Sequence, residues 1–503
     1  MRKILALGAF AFAMMLSTTT QAAWSVATSP HFVVYSEQDP AALRTYAERL
    51  ERFDAAMRVI NPPPADHAPV SRVTIFVMHD PESLHELVGS RSIDGFYRGN
   101  VTGAFAFTIG ASPKAKKEDV ANAQTVLLHE YAHHFMRGNF AASYPPWFTE
   151  GFAEFMSAAR FEDNGNVSLG IPENNRGSEL SELSTIPLRN MIAGTYYVTA
   201  ELEAKGWLLV HYLTFEPTRV GQPQSFLVAI NRGESAASAA QRIFGDLAAL
   251  DRELAAYVKR PRLSYTTVAA AKIAPAQITI ASLSPAGDAL MEARVRTAYG
   301  IDKFSAKGVA GTIRGVMDRY PDDQEAPCLL ARAEYWAERP DAVEKAADRL
   351  LAHDASSACG TLFKGYALMR RGNFKKLPPD DQIWGEARRW LVRANRAAPE
   401  DPWPMALYYY SFRAAKAKPT SNAVEALFGA LDRAPNDRSL RYLAVIEMLR
   451  AGKPDAARNL SFPLVGEAIG GARYLAEQRT LYDRIGHDDP AKVADALEAR
   501  LTD

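Results

Sequence analysis

The sequence predicts two dissimilar folded regions, an α+β domain over residues 24–260 and an all-α repeat array over 286–503, joined by a strand-containing linker at 261–285. Three observations carry this expectation. Strand-like and helix-like patterns alternate through the first part, as a mixed domain requires. A turn signature recurs at a near-constant interval through the last part. A chain of 503 residues is also too long for one core, since single cores stop growing at roughly 250–300 residues.

Composition narrows the class. Hydrophobic residues make up 48% and charged residues 23%, the mix of a globular protein with a sizeable core. Lys plus Arg and Asp plus Glu number 58 each, so no net field favours nucleic acid as a partner. Arg2 and Lys3 precede an uncharged apolar run from Ile4 to Leu16, and a small polar stretch then ends in Thr20-Gln21-Ala22-Ala23. That pattern is expected to be a secretory signal peptide over 1–23, cleaved after Ala22 or Ala23. The run is too short to span a bilayer comfortably and no later segment reaches about eighteen apolar residues, so no membrane span is expected after cleavage. The expected location is outside the cytoplasm, in the periplasm, where conditions are oxidising. Cys328 and Cys359 are the two cysteines; they either pair or pack as buried thiols, and they cannot hold zinc alone.

Within the first region, His31 to Tyr35 reads as a strand and Asp39-Pro40 as the cap and first residue of a helix with Leu43, Tyr46, Leu50, Phe53 and Met57 on one face. Val73 to Met78 is a second strand, Pro81 to Val88 a short helix and Gly103 to Ile109 a third strand. A helical pattern from Asp119 to Arg137 is expected to stop at Gly138, and another helix to start after Pro145-Pro146. Residues 162–199 are polar and rich in Gly, Asn and Pro, the composition of a surface hairpin or excursion. Helical patterns return at Leu202 to Phe215 and Asp246 to Lys259.

The array is read from its closers: Tyr320-Pro321-Asp322-Asp323, His353-Asp354-Ala355-Ser356, Ala398-Pro399-Glu400-Asp401 and Ala434-Pro435-Asn436-Asp437 each end a helical stretch. Counted between Tyr320, Asp354, Ala398 and Ala434 they are 34, 44 and 36 residues apart. The long interval contains Lys376 to Asp381, a natural loop insertion, and removing about ten residues restores the period of a helix-pair repeat. The pattern resembles a tetratricopeptide array of about four to five degenerate units, whose concave surface takes a protein partner or a long substrate.

Chemistry concentrates in two segments. His129-Glu130-Tyr131-Ala132-His133 places two imidazoles one turn apart on the same helix face, so both can point at one metal ion. Zinc accepts imidazole nitrogen and carboxylate oxygen at ~2.0–2.2 Å. Glu130 is rotated around the helix and reaches a water rather than the ion, the position of a proton acceptor. After a short loop, Trp147 to Glu154 supplies Glu150 as a third ligand and leaves a fourth position open, as a catalytic site requires. Glu154 lies one turn on; it either accepts the free ring N–H of a ligand His or is a solvated acid. His134 and His211 have no partner at ligand spacing and read as structural.

These residues resemble the gluzincin metallopeptidases, whose first motif is His-Glu-x-x-His and whose second contains Glu-Gly-x-Ala-Glu. Pro145 to Gly151, in the form Pro-x-Trp-x-x-Glu-Gly, is similar to the secreted bacterial peptidase MA-like domain often joined to tetratricopeptide repeats, and so are the strand Ser29 to Tyr35 and the stretch Ile243 to Leu247. The resemblance covers about residues 25–260. It implies a zincin-like domain, one Zn2+ per chain held by His129, His133 and Glu150, Glu130 as general base, and a peptide or protein substrate lying in extended form along the strand Gly103 to Ile109 as an edge strand. The family's oxyanion donor, a Tyr or His, falls here near Glu203; Tyr197 and Tyr196 are the substitutes, with ordinary packing as their other role. Two other readings stay open: an inactive peptidase-like platform for a repeat-based interaction module, and a zinc hydrolase acting on a non-peptide bond.

Overall fold

The computed structural model describes residues 24–65, 71–89, 95–110, 117–140, 142, 144–172, 186–192, 200–232, 234–466 and 471–501. The segment 1–23 lies outside them. Among the described residues no helix is long and apolar enough to cross a membrane.

β1 (Ser25–Thr28) and β2 (Phe32–Ser36) pair antiparallel, with Ala27, Phe32 and Val34 turned inward by strict alternation. α1 (Pro40–Ile60) then starts on Asp39, whose carboxylate accepts the N–H groups of Ala41 and Ala42 at 3.0 Å. β3 (Val73–Met78), α2 (Pro81–Val88), β4 (Gly95–Asn100) and β5 (Gly103–Ile109) follow. The six-stranded sheet has the order β4-β5-β3-β2-β1-β9, where β9 is Thr279–Ser282. β2, β3 and β5 are mutually parallel, and β4 turns back antiparallel on β5.

That order corrects one expectation. The strand Gly103–Ile109 is interior, and the edge is β4, which pairs Gly95 with Thr108 through Asn100 with Gly103. β4 carries Gly95, Gly99 and Asn100, types depleted in strands, around Phe96 and Tyr97, and its hairpin partner holds it in place.

One sheet face is covered by α1 and by α3 (Lys117–Asn139), packing Ala104, Ala106 and Ile75 against Leu127, Leu128, Tyr131 and Phe135. The other face carries Phe76, Phe105 and Phe107, covered by Leu84 of α2 and by Met291, Val295 and Ala298 of the helix Met291–Tyr299. α3 passes through Gly138 instead of stopping there, because Asn139 folds its amide back onto the Phe135 carbonyl at 2.8 Å and closes the last turn.

α4 (Pro146–Ser157) packs on α3 and on the helix Ala200–Phe215. At that second crossing Gly151 meets Gly206 backbone to backbone, and a Cβ on either would overlap the other helix. A short hairpin, β6 (Arg160–Phe161) and β7 (Val167–Leu169), opens the expected 162–199 excursion, of which residues 173–185 and 193–199 lie outside the described residues. The 261–285 segment is no free tether: β8 (Thr266–Val268) completes a small sheet on β7, and β9 pairs with β1 along its whole length.

From Lys303 to Arg450 the chain is a run of antiparallel helix pairs. Tyr320, Asp354, Ala398 and Ala434 are each the C-cap of one helix; Ser357, Asp401 and Asp437 are N-caps of the next, and Asp323 accepts the Ala326 N–H where its helix begins. The opposite turns repeat as well. Glu338, Lys376, Lys416 and Gly452 all take positive φ, and each is followed by a backbone bond reaching back five residues into the helix just ended. Cys328 and Cys359 are bonded to each other and join the helices Ala326–Trp336 and Ala358–Phe374.

Candidate metal centre

α3 and α4 together bring three ligand atoms to one point. His129 Nε2 and His133 Nε2 lie 3.0 Å apart, and each is 3.3 Å from Glu150 Oε2. Ligands at ~2.0–2.1 Å around a tetrahedral ion are separated by roughly 3.3 Å, so the spacing fits zinc without rearrangement. The histidine pair comes from the helical repeat within α3, and Glu150 reaches it because α4 packs against α3.

Glu154, one turn beyond Glu150 on α4, places Oε1 3.2 Å from His129 Nδ1. It is buried, which excludes the solvated-acid reading. A carboxylate there keeps a proton on Nδ1, so that Nε2 is the ring nitrogen turned toward Glu150 and His133. Burial alone would lower the His129 pKa, but the hydrogen bonds to Glu150 and Glu154 outweigh it and raise the group to about 10. Burial opposes ionisation of Glu150 too, yet the His133 charge and the hydrogen bonds from both imidazoles hold its carboxyl well below the usual range. The carboxylates of Glu150 and Glu154 therefore favour a proton on the imidazole between them.

Glu130 follows His129 on α3, half-buried, with its charge close enough to Tyr97 of β4 to help burial push the phenol pKa upward. His134 turns away from the centre; burial lowers it to about 4, and its Nδ1 lies 2.7 Å from the Tyr97 hydroxyl. His211 is also structural, held between the Tyr257 hydroxyl and the Ser264 carbonyl at 2.9 Å each. Tyr131 donates to Asp54 at 2.7 Å and is committed to packing α3. Tyr196 and Tyr197 lie outside the described residues. Glu203 sits half-buried on the helix Ala200–Phe215.

Sequence reasoning missed a second group of histidine and carboxylates at His31, Glu51 and Asp54, and missed Tyr97. The first was visible only as a buried-face Glu and Asp among the apolar residues of α1.

No protein-family model matches the chain and no curated protein matches it. Among solved structures, the chain is similar to a thermophilic TPR protein of Thermus thermophilus, with 16% identity over 39% of this chain and 93% of that one, at a TM-score of 0.28. So low a score carries no argument, and the helix-pair array stands on its own repeated caps and turns.

Proposed function

We propose that this chain is a zinc-dependent peptidase of the gluzincin type, exported to the periplasm, with His129, His133 and Glu150 as ligands and Glu130 as general base. The observation that carries this reading is the convergence of three ligand atoms at tetrahedral spacing with Glu154 behind His129. A bound zinc ion would supply Lewis acidity to the scissile carbonyl and lower the pKa of water toward ~7. Glu130 accepts the proton of the attacking water and returns it to the leaving amine. Glu154 fixes the His129 tautomer, and the packing of α3 against the sheet keeps both imidazoles on one face. The Cys328–Cys359 disulfide supports an oxidising compartment, as the signal pattern at 1–23 does.

The test compares purified mature protein with Glu130→Gln. Bound zinc near one per chain is expected in both, and casein hydrolysis in the wild type alone. A folded, zinc-free wild type overturns the reading. A second reading, an inactive platform for partner binding, is favoured by the 540 Å³ groove that the array lines with Tyr335, Tyr366, Trp403 and Tyr410. Zinc in both proteins with hydrolysis in neither would select it.

A further inference from the structure

The closer turn that ends the helix Ser421–Arg433 does more than join two helices of the array. It meets the sheet domain beside α3 through a connected set of hydrogen bonds. Ser71 Oγ donates to the Arg433 carbonyl at 3.1 Å, and the Val101 N–H, at the tip of the β4–β5 hairpin, donates to Asp437 Oδ2 at 2.9 Å. Arg137 of α3 donates to Asn436 Oδ1 at 3.4 Å, and Asn436 Nδ2 donates to the Tyr97 hydroxyl at 3.2 Å. That hydroxyl is 2.7 Å from His134 Nδ1, while the His134 ring also bonds the Ser71 backbone. The bonds run in sequence: Asn436 gives to Tyr97, Tyr97 gives to His134, and His134 gives to Ser71.

Apolar contacts follow the same path. Val101 packs against both array clusters, as Tyr408 and Tyr410 do, and it lines the aromatic groove beside Tyr335 and Tyr410. Arg332 of the array stacks over Phe105 of β5 and over Trp403, 5.9 and 5.4 Å from the ring centroids. Arg98 of β4 donates to the Tyr299 carbonyl. Gly99 leaves the room that the Tyr97 ring needs, since a Cβ there would overlap its phenol. The aromatic groove of the array is thus met at Val101 by the chain's own hairpin.

We infer that the helical array acts in cis as a wall of the hydrolytic site: the Asn436–Asp437 turn and the groove behind it grip the β4–β5 hairpin and hold the edge strand β4 in register beside α3, ready to pair with an extended polypeptide. An extended chain adds to a sheet edge through main-chain hydrogen bonds, so a shifted β4 weakens substrate binding more than bond cleavage. Asn436, Asp437 and Tyr97 are positioning residues. The inference rests on the peptidase reading only for its substrate; the grip itself is tested separately.

Asp437→Asn combined with Asn436→Ala isolates the grip. An Asn at 437 keeps an oxygen for the Leu440 N–H that Asp437 Oδ1 caps at 2.9 Å, while it presents an amide instead of a carboxylate to Val101. Hydrogen exchange of the β4 amides, zinc content and peptidase kinetics are measured on the full-length mature protein and the double variant. The expected result is β4 exchange at least tenfold faster, zinc unchanged, and KM for a mixed-peptide substrate raised on the order of tenfold or more with a smaller change in kcat. Wild-type β4 exchange in a folded double variant overturns the inference. Should the double variant fail to fold, Asn436→Ala alone is held to the same exchange criterion. If the wild type hydrolyses nothing, the peptidase reading fails while the exchange data still decide the grip.

Discussion

Two clusters in the sheet domain gather histidine and carboxylate atoms within reach of one another: His129, His133 and Glu150 on α3 and α4, and His31, Glu51 and Asp54 at the start of β2 and on α1. They differ in what already occupies the oxygens. Glu51 accepts from Ser29 Oγ at 2.6 Å, from the His31 N–H at 2.9 Å and from His31 Nδ1 at 2.8 Å. Asp54 accepts from Tyr131 at 2.7 Å and from Arg58 Nε at 2.6 Å. A guanidinium, a phenol and a hydroxyl have taken the lone pairs that a metal would need, so this cluster is an ion-pair lock. At the other cluster only the imidazoles and Glu150 face the centre, among the described residues. Proximity of ligand-type residues does not by itself distinguish a metal site; at Glu150 the hydrogen-bond partners are the two imidazoles themselves, whose protons a metal ion would replace. The two clusters are linked through α3, because Tyr131, two residues before His133, donates its hydroxyl to Asp54.

The sharpest way to break this contrast is to remove one member of each cluster and count metal. Glu150→Ala is expected to take bound zinc from near one per chain to less than about a tenth and to abolish hydrolysis. His31→Ala should leave zinc content unchanged, by atomic emission on dialysed protein. Equal loss in both would mean that the ion-pair lock also holds metal.

Asp54→Ala should separate the clusters by stability. It strands Arg58 and the Tyr131 hydroxyl beside a site that is 1% exposed, and the loss is expected at about 3 kcal/mol in denaturant titration. Zinc content in the folded fraction should stay near one.

Glu154→Gln is the milder probe of the metal centre. Zinc affinity is expected to fall about 10–100-fold in competition with a chelator, with little change in melting of the apo protein. A variant with wild-type affinity would mean that Glu154 does not govern the His129 tautomer.

The smallest effect is the pH dependence of the lock. Burial opposes the charge on His31, but the Glu51 hydrogen bond and the Asp54 charge prevail and raise its pKa above the ordinary 6.5. Glu51 is lowered below its ordinary 4.5, since bonds from His31 and Ser29 overcome its burial. The His31 contribution is therefore full below its unfolded pKa and is lost as pH rises through the folded one. The Glu51 contribution is present above its unfolded pKa and is lost as pH falls through the folded one. The stability gap between wild type and His31→Gln should narrow as pH rises from about 6 to about 9, read by urea unfolding. A constant gap would mean that His31 acts through packing alone.

Local chemistry made much of this protein legible in the sequence. The four-residue step of His129 and His133, the Glu150–Glu154 step on the next helix and the repeated caps at Tyr320, Asp354, Ala398 and Ala434 all depend on spacing within a helix or turn, and spacing is written in the chain. Strand β4 was not legible, because its Gly and Asn residues weaken the strand signal without β5 beside them. The same blindness put the sheet edge at Gly103 to Ile109, one strand too far in.

Contacts that join distant stretches were decided by the tertiary structure alone. β9 closes on β1, and Asn436 meets Tyr97 across 339 residues of sequence. A helix period or a cap fixes which neighbours a residue can touch within one turn, so the sequence determined the juxtaposition of His129 and His133 and the repeats. Which edge is free, which carboxylates are already hydrogen-bonded and which turn grips the hairpin depend on the packing of whole elements, and no local pattern encodes that.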